Sequence, residues 1–383
     1  MESGKAWPSA VYFHVPFCMH RCGYCDFTLV ANRDRLIPDY LQCLRKELEH
    51  ECRDVPRPWS VRTLFFGGGT PTHLAAKDLE QLFSIVGEFF VLEDGGEFAV
   101  EANPDGLDEE RLNVLHDFGV NRISLGVQSF VDSELKTLER THRTSEAKDV
   151  IHRVSERFTN TGADLIFGVP GQTLASWNES LESAAALPLK HVSTYGLTFE
   201  PGTAFFRRKK AGELRGTPEE AEREMYLRAI QFLQQRGFGH YEVSNFAVPG
   251  FECRHNLVYW HADEYFAFGP GAARYIHGRR TTNVRRVTQW LKAWTQGEPC
   301  YEEDERLASE DKAREAIMLA LRLRAGLDLK EFQKRFGVDI EALCGDTMRR
   351  AVDAALARVS DGRLALTQDG LMIADSVISE FLA

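Results

Sequence analysis

Six short apolar runs alternate with five amphipathic stretches between Ala10 and Phe199, and this rhythm leaves the chain few folds to choose from. The runs are rich in β-branched and aromatic residues. They predict strands at Ala10–Val15, Val61–Phe66, Phe98–Glu101, Arg122–Val127, Ala163–Val169 and His191–Phe199. Apolar residues at helical spacing predict helices over Pro38–Cys52, Lys77–Phe90, Glu109–Phe118, Ser145–Phe158 and Thr173–Ala186. Strands that are continuous apolar runs belong to a parallel sheet covered by helices. Right-handed crossovers wind such a series into an open doubly wound sheet or a barrel, and both bind ligands at C-terminal strand ends. Those ends hold Cys18 onward, Gly67 onward, Glu101 and Gln128, while Asp164 lies nearer the start of its strand.

After Glu200-Pro201-Gly202 the rhythm changes. Arg207, Arg208, Lys209 and Lys210 form a basic run, expected to be a solvated connector. A long helix is expected over Thr217–Gly237, with Thr217 as N-cap, a proline in first position and acids in the first turn. From Ser309 onward, helices at Glu310–Leu323, Leu329–Phe336 and Cys344–Arg358 precede a hairpin around Gly362–Thr367 and a last helix near Gly370–Leu382. That order predicts a small, mainly helical, winged-helix-like unit. The expected division is a sheet-and-helix body over 1–205, an extension and connector over 206–305, and the C-terminal unit over 306–383.

The 383 residues can bury a large core, and the net charge of −11 argues against nucleic acid as a partner. No apolar run approaches membrane-spanning length, so no integral membrane segment is expected. Met1–Ser9 lacks the charged-then-apolar pattern of an export signal. Eight cysteines without such a signal fit a reducing cytoplasm and a metal site better than a disulfide framework.

Three of those cysteines, Cys18, Cys22 and Cys25, crowd into eight residues with spacing C-x3-C-x2-C. A short loop of this kind can wrap three thiolates around an iron–sulfur cube, leaving one iron of a four-iron cluster open to another ligand. The residues alone also allow a zinc site with His14 or His20 as fourth ligand, or buried thiols without a metal.

The spacing, with Tyr24 before the last cysteine and Gly67-Gly68-Gly69-Thr70-Pro71 one strand later, resembles the radical S-adenosylmethionine (SAM) superfamily. Further stretches extend the likeness along the whole chain: Tyr12-Phe-His-Val-Pro-Phe-Cys18, Val100-Glu-Ala-Asn-Pro104, Ser124-Leu-Gly-Val-Gln-Ser-Phe130 and Asp164-Leu-Ile-Phe-Gly-Val-Pro-Gly171. They are similar to the family of anaerobic coproporphyrinogen III oxidases and their haem-chaperone branch. The resemblance implies a partial (β/α)6 barrel, a [4Fe–4S] cluster on the three cysteines and SAM at the open iron. It implies a SAM pocket lined by Tyr12, Gly68, Gly69, Thr70, Glu101, Gln128, Arg140 and Asp164. Read singly, Tyr12 fits strand core, Glu101 and Asp164 strand-end caps, and Gln128 and Arg140 solvated loop residues.

Within the family, the oxidase branch has a fourth cysteine two residues after the third, and here that position is Phe27. The segment His255-Asn256-Leu-Val-Tyr259-Trp260 resembles the H-N-x-x-Y-W signature of the haem-chaperone branch. That branch implies haem as cargo, an acceptor protein for it, and a reductant such as a flavodoxin or ferredoxin if the cluster is used. It also implies haem contacts at His255, Asn256, Tyr259 and Trp260. The same four side chains can equally be structural hydrogen bonders and core. One stretch departs from the family: where relatives read G-x-G-A-H-S, this chain has Ala273 and Arg274 in place of the His and Ser. The expected function is haem transfer; radical decarboxylation of a porphyrinogen and a non-redox zinc protein are the alternatives.

Overall fold

Strand order separates the two architectures that the sequence allows. In the computed structural model, which describes residues 7–382, six strands lie side by side in chain order and all parallel. They are β1 (Ala10–Val15), β2 (Trp59–Gly68), β3 (Phe90–Ala102), β4 (Arg122–Gln128), β5 (Asn160–Phe167) and β6 (His191–Gly196). A doubly wound sheet reverses direction at its centre. A sheet wound one way throughout carries its helices on one face and curls the other around a lumen. Six strands are two short of a closed barrel, so the body is a partial (β/α)6 barrel. Helices α1 (Ile37–Glu51), α2 (Ala76–Gly87), α3 (Glu109–Asp117), α4 (Thr144–Arg157) and α5 (Leu174–Ala186) connect the strands.

Each helix buries one apolar stripe, as with Leu41, Leu44 and Leu48 of α1, and the strands answer with stacked aromatics. Phe13 lies 4.6 Å from Phe66 and 5.4 Å from Phe268, ring centre to ring centre. Fully burying each such ring stabilises the fold by roughly 1.5–3 kcal/mol.

Beyond β6 come α6 (Ala204–Lys210) and α7 (Glu219–Gln235), then β7 (Gly239–Glu242) and β8 (Asn245–Ala247), which extend the sheet antiparallel from β6. Next are α8 (Arg254–Trp260) and β9 (Phe266–Phe268), the latter parallel to β1 at the other edge. β10 (Ala273–Ile276), β11 (Arg279–Asn283) and β12 (Tyr301–Arg306) form a separate antiparallel sheet, with α9 (Val287–Gln296) between its last two strands. The C-terminal unit consists of α10 (Ser309–Ala320), β13 (Leu327–Asp328), α11 (Leu329–Phe336), α12 (Ile340–Asp353), β14 (Ala357–Ser360) and β15 (Arg363–Leu366). It ends in α13 (Gln368–Met372) and α14 (Ala374–Ser379). Three short strands paired beside helices give the winged-helix-like arrangement.

Several boundaries differ from expectation. Phe90 does not end a helix: α2 stops at Gly87 and Phe90 opens β3. Asp164 sits in mid-strand because β5 begins at Asn160. Thr217 does not cap α7; Pro218 holds the N-cap position, and the Thr217 hydroxyl donates to the Val169 carbonyl at 3.2 Å. The helix expected over Cys344–Arg358 is displaced, since Asp339 caps α12 and the segment from Ala357 pairs as β14. The last helix is broken at Ile373. Arg207–Lys210 is helical, not a connector. Most of Met1–Ser9, read as lacking an export signal, lies outside the described residues.

Candidate functional site

The cysteine loop follows β1 and is folded by its own backbone and one arginine. The Cys25 amide donates to Cys22 O at 3.1 Å, closing a turn, and the Arg21 guanidinium donates to Cys25 O and, at 2.8 Å, to Leu29 O. Cys18 and Cys22 are buried and Cys25 is half-buried, all as free thiols. They line a cavity of about 500 Å³ at the C-terminal ends of the strands. The same cavity is lined by Gly68, Gly69, Thr70, Glu101, Gln128, Arg140 and Asp164. Of the residues expected around the cluster and SAM, only Tyr12 lies outside it, in adjoining space.

A polar chain runs behind the sulfurs. Asn103 Nδ2 donates to Thr70 Oγ1 at 2.9 Å, which leaves the Thr70 hydroxyl proton free for Cys18 Sγ, 3.3 Å away. Arg140 donates to Asn103 Oδ1 at 2.7 Å and to Gly126 O at 3.0 Å, and its other terminal nitrogen lies 3.7 Å from Cys22 Sγ. Arg140 Nε is buried without a hydrogen-bond partner among the described residues. Arg140 is therefore no solvated loop residue. Asn103 was not singled out from the sequence; its place two residues after Glu101, just past the end of β3, was the available signal. Burial pushes the Cys18 thiol up to about 11, partly offset by the Thr70 hydroxyl.

The glycine edge has its amides in use. Gly68 N donates to Glu101 Oε2 at 3.1 Å, Gly69 N to Val15 O and Thr70 N to Phe17 O. What this edge can turn toward a ligand is carbonyl oxygen. Gly68 has φ of +109°, and a Cβ there would lie 2.5 Å from the His14 ring, so both backbone and space require glycine. Gln128, next to the cavity, is held at φ of +68°, a left-handed conformation uncommon for such a residue.

Two half-buried carboxylates face this space, and no cation among the described residues forms a salt bridge with either. Glu101 is raised to about 7 by burial and then by the charge of Asp164. Asp164 is raised by burial, offset by hydroxyl donors from Ser193 at 2.6 Å and Ser124 at 3.1 Å. The Arg122 charge acts on Asp164 from a distance, and a positive group bound between the two carboxylates would favour their ionised forms further.

His14 is committed within the fold. Its Nε2 donates to Thr28 O at 2.7 Å, so Nδ1 is the acceptor for the Tyr12 hydroxyl at 3.1 Å. Burial lowers it to about 4, and it is neutral. That removes one of the two histidines considered for a zinc site. Among the described residues, no three His, Cys, Asp or Glu side chains converge where one ion would sit.

The His255 segment lies at the opposite end of the barrel. Thr63 pairs with Ala10 at the start of β1, and Glu97 pairs with Thr63, so both mark the N-terminal end of the lumen. There the Glu97 carboxylate accepts from the amides of Arg254 (3.1 Å) and His255 (2.9 Å), capping α8. His255 Nδ1 meets Thr63 Oγ1 and Nε2 meets the Tyr259 hydroxyl, both at 2.8 Å, while the ring stacks on Phe65 at 5.0 Å. His255 is 1% exposed, and burial lowers it to about 3. Asn256 and Tyr259 line a 220 Å³ space that shares Glu101 and Asp164 with the larger cavity. That is below the about 300 Å³ at which small-ligand pockets begin, although Tyr259 also borders the open space of about 570 Å³ lined by Tyr12 and Phe27. Trp260 faces away, 5.8 Å from the Arg322 guanidinium of the C-terminal unit. Helix α8 is thus the floor of the lumen. Arg274 is also turned inward, paired with Glu51 at 3.3 Å and bonded to Asn283, whereas its neighbour Ala273 lines open space beside Phe27.

A partial barrel with three cysteines, a glycine edge and acids gathered at its C-terminal mouth defines a class. The family model of the radical SAM superfamily matches residues 12–184, and that of the HemN C-terminal domain matches residues 307–373. The chain is 36% identical to the heme chaperone HemW of Bacillus subtilis, over 97% of this chain and 99% of the relative. It is 32% identical to that of Escherichia coli, over 99% of each. The chain belongs to the HemW family of radical SAM proteins. Its fold is also that of Escherichia coli coproporphyrinogen III oxidase HemN, with a TM-score of 0.85 over 98% of this chain and 90% of that one, at 22% identity.

Proposed function

We propose that this protein is a haem chaperone, which takes haem as cargo and passes it to an acceptor protein, and that it does so with a [4Fe–4S] cluster and SAM bound. The observation that carries the cofactor reading is the single cavity that joins Cys18, Cys22 and Cys25 to the glycine edge, Arg140 and the Glu101–Asp164 pair. The three thiols would hold the cluster, whose fourth iron supplies a coordination site and an electron when reduced. Thr70 and Arg140 stand within hydrogen-bond reach of two of the sulfurs, the kind of contact that orients and tunes a metal ligand. Carbonyl oxygens of Gly68 and Gly69 suit an ammonium group. Glu101 and Asp164 suit ribose hydroxyls and a positive charge, Arg140 a carboxylate, and Gln128 and Tyr12 complete the wall.

Phe27, 60% exposed on the cavity wall, supports the chaperone branch over the oxidase, which has cysteine at that position. Helix α8 enters this proposal as a floor under the SAM site, with His255, Asn256 and Tyr259 acting from below and not as axial ligands. The division into 1–205, 206–305 and 306–383 is supported by a second apolar cluster from Ala313 to Phe381, while Trp290 and Trp294 share the barrel's core. Eight free thiols fit work in the cytoplasm, and no helix among the described residues is long and apolar enough to cross a membrane. The proposal is tested by titrating haem into cluster-loaded protein beside a coproporphyrinogen assay with SAM and reductant. Haem binding without vinyl formation is expected; vinyl formation would replace the chaperone reading with the oxidase.

The carboxylate pair makes SAM binding pH-dependent. Between the ordinary carboxylate range and about 7, folded Glu101 keeps a proton that the unfolded chain has lost, so the ligand-free protein loses stability as pH rises through that window and levels off above it. A cationic ligand favours the ionised form. SAM affinity should therefore rise several-fold from pH 6 to pH 8 by calorimetry, and Glu101→Gln should flatten the profile; an unchanged profile in the variant would count against Glu101 as a SAM contact.

A further inference from the structure

The basic run Arg207–Lys210 has no part in the sites above, yet the fold builds it into the wall of the cysteine loop. It is the C-terminal half of α6, whose Phe205 is fully buried. The Phe205 amide donates to Gly23 O at 2.8 Å, and a Cβ on Gly23 would come within 2.5 Å of the Phe205 ring. A side chain at position 23 would force the Phe205 ring to move. Arg208 reaches Glu139 at 3.3 Å, and Glu139 lies 3.8 Å from His20 of the same loop.

The outer face of α6 is different in kind. Arg207, Lys209 and Lys210 are exposed. Lys209 lies 4.2 Å from the Phe199 ring centre and Arg207 donates to Gly202 O, but no carboxylate among the described residues pairs with Arg207 or Lys210. Of the acids that follow, Glu213, Glu219 and Glu220 make no ion pair with the helix, and Glu222 feels the Lys209 charge without closing a salt bridge. On a chain of net charge −11, Arg207, Lys209 and Lys210 form an exposed cationic edge on the helix seated against the cysteine loop, while Arg208 is paired with Glu139.

We propose that this face of α6 docks an acidic one-electron carrier protein that reduces the cluster. The inference rests on the cluster reading above. One electron leaves the carrier's reduced flavin or iron–sulfur centre and enters the cluster, with no bond made or broken. Opposite charges would steer the encounter and orient the carrier over Gly23 and its flanking cysteines, raising the association rate more than the final affinity.

The test uses anaerobically loaded full-length protein in stopped flow, reduced either by flavodoxin, a small acidic flavoprotein, or by photoreduced deazaflavin, which needs no docking. In R207E/K210E the flavodoxin rate should fall at least tenfold at low salt, while iron content and the deazaflavin rate stay at wild-type values. The wild-type flavodoxin rate should itself fall as salt rises. Equal flavodoxin rates in wild type and variant, or a rate indifferent to salt, would overturn the proposal. If the double reversal fails to load iron, R207Q/K210Q decides: about a threefold loss is expected, and no loss overturns it. Wild type that holds no iron would remove the cluster reading and this inference together, and the iron assay distinguishes that outcome from a docking failure.

Discussion

Replacing Cys22 with alanine is expected to leave a folded protein that holds no iron–sulfur cluster. Cys22 is one of only three thiols on the cavity, so two sulfurs would remain for a group that needs three. Its loss as a packing group is minor, about 1 kcal/mol, because the side chain is small and at the cavity edge. The larger consequence is local: Arg140 loses the sulfur at 3.7 Å and keeps its bonds to Asn103 and Gly126. After anaerobic reconstitution, iron and acid-labile sulfide should fall to background while the unfolding midpoint moves little. Haem binding need not be lost with the cluster. Iron retained at the wild-type level would mean that the loop is not the cluster site.

The second large effect falls at the other end of the barrel. His255→Ala is expected to cost about 2–4 kcal/mol of stability while leaving haem affinity close to wild type. The substitution opens a hole beside Phe65 and strands two buried hydroxyls, those of Thr63 and Tyr259. Tyr259→Phe separates the possibilities further. As floor, it loses one hydrogen bond and about 1 kcal/mol; as the partner of an axial ligand, its removal would free Nε2 and tighten haem. Thermal unfolding beside haem titration reads both. An unaltered midpoint with haem binding abolished would identify His255 as a haem ligand.

That contrast shows what could and could not be read in the chain. The alternation of strands and helices was legible because each strand presents an apolar outer face to its helices, as with Val11, Phe13 and Leu64. The lumen face was less so. Thr63, Glu97, Arg122 and His191 sit at alternate positions on that face and look like interruptions of apolar strands, yet they receive α8 and its surroundings. The cysteines, glycine edge and Glu101 meet because each follows or ends a neighbouring parallel strand, while Asp164 reaches the same cavity from mid-strand and Arg140 from beyond a short helix. Asn103 was hidden inside a motif read for Glu101. The His255 segment could be matched to a branch of the family but not placed, since its position depends on a long-range contact with Glu97. The basic run looked like a connector because only the buried Phe205 before it, and Gly23 nearly two hundred residues earlier, reveal its seat.

The central claim is that one cavity couples a four-iron cluster to SAM in a protein whose cargo is haem. Its most direct measurement is metal analysis, SAM calorimetry and haem titration on a single anaerobically reconstituted preparation. The account predicts four irons and four sulfides per chain, SAM binding that disappears in Cys22→Ala, and haem bound by wild type. Stoichiometric zinc in place of iron, or cluster-loaded protein that binds no haem, would contradict it.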